Sequence, residues 1–160
     1  MIKTRIEQTP HNRQLDWNLL FASWIIACIA TLGSLFFSEI MGLKPCVLCW
    51  WQRIFMYPLV FILPAGLYPL DRNIVRYTLP LAVIGWLFAV YHYLLYIGVI
   101  PEDLAPCDQE ASCKDVNLEM FGFITIPMLS ILSYTGIIIL LAIFRHRQKT
   151  VALTNNRINE

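Results

Sequence analysis

Four runs of apolar residues, each close to the about 20 that a helix needs to cross a hydrocarbon core, decide most of what this chain can become. They lie at approximately 18–40, 50–68, 78–98 and 124–144. Inside lipid no water satisfies backbone N–H and C=O groups, so runs of this length must be helical. Pro58, Pro64, Pro80 and Pro127 fall within them or at their starts. Neighbouring helices can satisfy the groups a proline frees, so these positions predict kinks rather than breaks. With 58% of the 160 residues hydrophobic and 14% charged, no polar block is large enough to fold by itself. The expectation is one all-α integral membrane domain over 1–160. Residues 1–17 are too polar for the core of a cleaved signal, and the run that follows is too long for one, so it reads as an uncleaved first span. Short connections favour antiparallel neighbours, hence an up-down four-helix bundle.

The positive charges orient it. Lys3, Arg5 and Arg13 precede the first run, Arg72 and Arg76 sit in the second connection, and Arg145, Arg147, Lys149 and Arg157 follow the last run. These positions share one side, whereas the first and third connections hold Lys44 and Lys114 with Glu102, Asp103, Asp108, Glu110, Asp115 and Glu119. The positive-inside rule makes both termini cytoplasmic, with 145–160 a cytoplasmic tail, and turns the first and third connections outward. No repeat or low-complexity tract interrupts this layout.

Cys46, Cys49, Cys107 and Cys113 all fall on the outward side, where no glutathione system keeps thiols reduced. Cys46 and Cys49 open the second run in "LKPCVLCWWQR" (43–53), one helical turn or less apart, so their side chains share a face and can close a small ring. Pro45 suits a helix start, and a cysteine there feels the positive end of the helix dipole, which lowers thiol pKa values to about 3.5–7.5. An exchanging pair, a static disulfide and half of a zinc site all fit that spacing.

Arg53 follows Cys49 by four residues, about 6 Å deeper on the same face. A charge at bilayer depth costs roughly 2.5–3.5 kcal/mol on insertion scales, so an anionic or polar partner should meet it. The Cys49 thiolate and an oxygen of a lipid-borne molecule are candidates; snorkelling to headgroups beside Trp50 and Trp51 is the alternative. Cys107 and Cys113 flank "DQEAS" in a polar loop, a larger and more exposed ring suited either to a soluble partner or to a plain loop staple. Cys28, midway along the first run, is too far from the others for a disulfide and reads as packing. His92, at a depth comparable to Arg53, can polarise the same ligand or simply be hydrogen-bonded inside the bundle. Glu39 reads as interfacial.

With these residues placed, the chain resembles the DsbB/BdbC family of bacterial disulfide bond formation proteins over about 18–145. The resemblance rests on "KPCVLCWWQRIFMYPL" (44–59), the Cys107/Cys113 loop and "GFITIPMLS" (122–130). It implies a thiol:quinone oxidoreductase of the bacterial cytoplasmic membrane. Cys107 and Cys113 would exchange with a soluble extracytoplasmic thioredoxin-like oxidase (DsbA/BdbD-like). Cys46 and Cys49 would reoxidise that loop pair, and Cys49 would pass electrons to ubiquinone or menaquinone beside Arg53, with His92 a further candidate there. By the same resemblance Cys107 forms the mixed disulfide and Cys113 joins the internal relay. The short loop is closer to BdbC-type members than to longer-looped ones. Gln52 stands where some members are acidic and receives no role. No bound metal or nucleic acid is expected. Two rivals compete: a vitamin K epoxide reductase-like enzyme, whose Cys-x-x-Cys lies late in the last core helix rather than opening the second, and a membrane metal-thiolate binding or transport protein using the four outward cysteines.

Overall fold

A computed structural model describes residues 10–42, 44–100 and 125–158. Helix α1 spans Pro10–Leu35 and passes into a single π-turn at Phe36–Ile40. Helix α2 spans Val47–Ala65. A short 3₁₀ turn, Arg72–Ile74, leads into α3 at Val75–Tyr96, and α4 runs from Ile126 to Ile158. No strand occurs among the described residues, and each of the four helices contains a stretch long and apolar enough to span a membrane. Helix α1 packs on α2 and α4, and α3 on α2 and α4, which closes the four into a ring.

Two helices extend beyond the apolar runs. Helix α1 begins at Pro10 rather than near 18, with proline tolerated in a first turn where its missing N–H costs little. Helix α4 does not stop at 144. After Gly136 the sequence carries neither glycine nor proline, and the polar stretch RHRQKT continues the same helix. Part of that extension is fastened. Arg147 Nε meets the Asp16 carboxylate at 3.2 Å and its Nη2 donates to Asn12 Oδ1 at 3.2 Å, tying α4 to α1. Asp16 is buried, so its charge needs that partner.

The prolines of α2 behave as lipid physics requires. Pro64 has no N–H for the Val60 carbonyl one turn earlier, and the Trp24 indole of α1 donates to that carbonyl at 3.0 Å. Between α2 and α3 the register is set by rings: Phe88 stacks on both Trp51 and Phe55, with centroids 5.5 Å away in each case. Trp51 and Phe55 are one turn apart on α2, so the two contacts fix the height of α3 against α2.

Tyr134 of α4 reaches across the ring. Its hydroxyl donates to the Gln52 backbone carbonyl of α2 at 2.7 Å while its ring lies over Gly85 of α3. A Cβ at Gly85 would fall well inside van der Waals contact of that ring, so the glycine is there for close approach. Gly85→Ala is expected to lower stability by about 1–3 kcal/mol, the usual cost of overpacking. Thermal unfolding in detergent reads the loss, and Tyr134→Leu in the same chain should recover part of it.

Candidate active site

The cysteine end of the bundle is built on the start of α2. Cys46 is the N-cap residue: its backbone is extended, and its Sγ accepts the Cys49 N–H at 3.4 Å. This satisfies one of the donors a helix start leaves free. Cys49 follows within the first turn, and the two sulfurs lie 3.1 Å apart as free thiols. Cys46 is fully buried with Leu48 and Leu95, against Phe88, Tyr91 and Ile100, whereas Cys49 is only partly buried.

His92 of α3 meets Cys46. Its Nε2 lies 3.7 Å from Cys46 Sγ, and its Nδ1 lies 3.1 Å from the Gln52 side-chain nitrogen. With that amide donating to Nδ1, the ring proton sits on Nε2 and points to the sulfur. Phe88 and His92 are one turn apart, so the aromatic stack that fixes α3 also sets the height of this contact. The Cys49 thiol bonded to it, and then His92 beside it, hold the Cys46 thiol well below the usual thiol range, against the burial that raises it. Because the value is depressed, the charged form persists until the pH falls through it. In reduced protein with Cys107→Ser and Cys113→Ser, one thiolate is expected to remain at pH 6, read by its ultraviolet absorbance, and to vanish in Cys46→Ala.

Arg53, one turn deeper, faces α1. Its Nε donates to Ser34 Oγ at 2.9 Å and its Nη2 to the Ser34 carbonyl at 2.8 Å, in the turn before the helix changes to π geometry. Single π-turns are frequent at functional sites. The guanidinium also lies 5.3 Å from the Trp50 ring centroid, and Nη1 carries no hydrogen bond among the described residues. Arg53 is 8% exposed, so it does not snorkel freely; its side chain is held between helices.

Cys49 and Arg53 border one cavity of about 330 Å³ between α1, α2 and α4. Its walls are largely apolar, with Ile29, Phe37 and Met56 among them, and Tyr134 also contributes. Thr31 Oγ1, on the same wall, is buried and has no hydrogen-bond partner among the described residues. Cys46 and His92 do not border this cavity; they form the layer behind Cys49. Cys107 and Cys113 lie outside the described residues. Gln52, left without a role by sequence reasoning, is 7% exposed and joins His92 to α2. Its one signal was its position three residues after Cys49, on the cysteine face.

The family model described as "Disulfide bond formation protein DsbB" matches residues 16–144. The chain belongs to the DsbB family. It is similar to a "Probable disulfide formation protein" of Metapseudomonas resinovorans, 45% identical over 86% of this chain and 96% of the relative. "Disulfide bond formation protein C" of Bacillus subtilis (strain 168) is 43% identical over 79% of this chain and 91% of the relative. A "Probable disulfide formation protein" of Coxiella burnetii (strain RSA 493) is 43% identical over 74% and 80%. No solved structure matches significantly. A DsbB-family chain is a disulfide-forming oxidoreductase, and its four membrane-length helices fit a multi-pass membrane protein. For a DsbB protein the chemistry has to lie at sulfur, which gives Cys28 a sharp control. It sits within α1 as a partly buried free thiol. Cys28→Ala is expected to change turnover less than about two-fold, since single surface or half-buried substitutions cost little, and disulfide formation by the purified variant checks it.

Proposed function

We propose that this chain is a membrane thiol:quinone oxidoreductase that reoxidises a soluble thioredoxin-like oxidase and so generates disulfides in exported proteins. The observation that carries the reading is that Cys49 and the Arg53 guanidinium border the same apolar cavity. The fit to a quinone is chemical: an apolar ring with carbonyls at its two ends needs apolar walls and polar groups within them. The cavity offers both, through Arg53 and the Thr31 hydroxyl, which has no partner among the described residues. Its volume lies at the lower end of ordinary ligand pockets. A bound quinone supplies a two-electron, two-proton acceptor; ubiquinone and menaquinone both meet that description.

The protein's part follows from placement. Cys46 and Cys49 together would give up two electrons as the S–S bond closes between them, with Cys49 releasing its thiol proton and the second proton for the acceptor coming from water. Cys49 faces the acceptor, and the Cys46 thiolate behind it is the nucleophile that completes the disulfide. Arg53 stabilises negative charge growing on the acceptor oxygen, in surroundings where water screens little. The loop pair, Cys107 and Cys113, takes electrons from the soluble partner, Cys107 through a mixed disulfide and Cys113 within the relay, and delivers them to Cys46 and Cys49. His92 acts on Cys46 in this scheme.

The orientation belongs to the same proposal. Arg72, Arg76, Arg145 and Lys149 line one cleft at the end of the bundle away from the cysteines. This supports termini on the cytoplasmic side of the bacterial inner membrane and thiols on the outer side. Anaerobic mixing of the purified chain with a reduced thioredoxin-like oxidase and each quinone tests the reaction. Stoichiometric loss of quinone absorbance is the expected result; an unchanged quinone spectrum with every acceptor would overturn it.

A further inference from the structure

We propose that the reduced Cys46–Cys49 pair and His92 form a redox-gated site for a thiophilic divalent cation such as Zn²⁺, which holds the enzyme in its reduced state. The inference rests on the redox role given to this pair above. It concerns an inhibitory ion, not a resident cofactor.

The three donor atoms lie within 4.8 Å of one another. A tetrahedral zinc with Zn–S near 2.3 Å and Zn–N near 2.0–2.1 Å separates a sulfur and a nitrogen by about 3.6 Å, and two sulfurs by about 3.8 Å. Cys46 Sγ and His92 Nε2 already stand 3.7 Å apart, so that edge needs almost no movement. The sulfurs stand at 3.1 Å and must open by several tenths of an ångström. That motion falls on Cys49, the partly buried member that borders the cavity, which also gives the ion its way in.

The charge balance closes. An imidazole and two thiolates leave a Zn²⁺ site neutral, so Arg53 near Cys49 is not set against a net positive centre. Each thiol still protonated releases its proton on binding. Behind the ligands, Gln52 provides what a metal-bound histidine requires, a partner for its other ring nitrogen. In the metal-free arrangement the Gln52 amide nitrogen faces Nδ1. Half a turn of that amide puts its oxygen in the same place, where it accepts from Nδ1–H and frees the Nε2 lone pair for the ion. A glutamine serves both tautomers without moving its backbone.

Oxidation abolishes the site, because a disulfide has no thiolate to offer. Conversely, an ion on both sulfurs occupies the lone pairs that must form the S–S bond, so it stops the pair from being reoxidised.

The test uses the full chain in detergent with Cys107→Ser and Cys113→Ser, so that loop thiols do not compete. Reduced anaerobically, it is titrated with Zn²⁺ against a chromophoric chelator, and with Co²⁺ for thiolate charge-transfer bands and tetrahedral d–d bands. The expected result is one ion per reduced chain and at least 100-fold weaker binding after oxidation. His92→Ala should weaken binding at least 10-fold, and Gln52→Leu by about 10- to 100-fold. Gln52→Glu, which accepts from Nδ1–H without turning, should bind at least as tightly as the parent. The Gln52 pair carries the test if His92→Ala does not fold. In the unmutated chain, Zn²⁺ should stop quinone reduction and a chelator should restore it. Equal binding by oxidised and reduced protein overturns the site, as does unchanged affinity in both His92→Ala and Gln52→Leu. Metal-free quinone turnover separates the two ideas: turnover without zinc binding removes this inference alone, and zinc binding without turnover removes the quinone reaction alone.

Discussion

Cys49→Ala is expected to reduce quinone reduction to background, a loss of roughly three orders of magnitude or more, as for enzymes stripped of a nucleophile. The reason is stoichiometric as well as positional. Cys49 is the sulfur of the helix-borne pair that borders the cavity, and without it Cys46 has no neighbour with which to close a disulfide. Electrons from the loop pair then have no outlet, however well Cys107 and Cys113 exchange with a soluble partner. The measurement is quinone absorbance during turnover with a reduced thioredoxin-like oxidase, together with trapping of the mixed disulfide at the loop. Loss of the first with retention of the second is the expected pattern. Normal turnover in this variant would remove the relay through α2.

The second large effect belongs to Arg53. Its loss takes away the charged donor beside the cavity, and charge-assisted hydrogen bonds are worth about 1.5–3 kcal/mol. Arg53→Ala should therefore raise the apparent quinone KM roughly 10- to 100-fold, while thiol exchange at the loop stays close to normal. Arg53→Lys separates charge from geometry. Lysine keeps the cation but replaces the planar fork that meets Ser34 Oγ and the Ser34 carbonyl through two separate nitrogens with a single point donor. An intermediate KM is expected for it. Unchanged quinone affinity in Arg53→Ala would show that the guanidinium serves α1–α2 packing only.

What could be read from the residues depended on the range of the interaction. The apolar runs, the closeness of Cys46 to Cys49 and the face that Cys49 shares with Arg53 follow from helical spacing within one segment; the runs lie on helices of membrane-spanning length, the two sulfurs stand 3.1 Å apart, and Cys49 and Arg53 border one cavity while Cys46 lies behind it. The Cys46–His92–Gln52 contact does not follow from such spacing, because it depends on how far α3 slides along α2. That register is set by Phe88 between Trp51 and Phe55, a choice among many aromatic residues that no local pattern singles out. Tyr134 over Gly85 was hidden for the same reason: a glycine in an apolar run announces close approach but not what approaches. The π-turn of α1 has no sequence mark at all, since Ser34 reads as an ordinary small residue until Arg53 is seen to hold it. The helical extension of α4 past the apolar run was not legible because hydropathy marks where apolar residues end, whereas a helix can continue into polar sequence that holds no glycine or proline.

The attachment of Arg53 to Ser34 has one more result. The positive charge belongs to α2 by covalent bond but takes its aim from α1, so the cation and the sulfur beside it are mounted on separate struts. A small slide or tilt of α1 swings the guanidinium relative to Cys49 while leaving both side chains chemically untouched. Under the proposed reaction, residues that never meet a thiol, such as Ser34 or Trp24 where it grips Val60, would then act as set-screws on the speed at which electrons leave the protein.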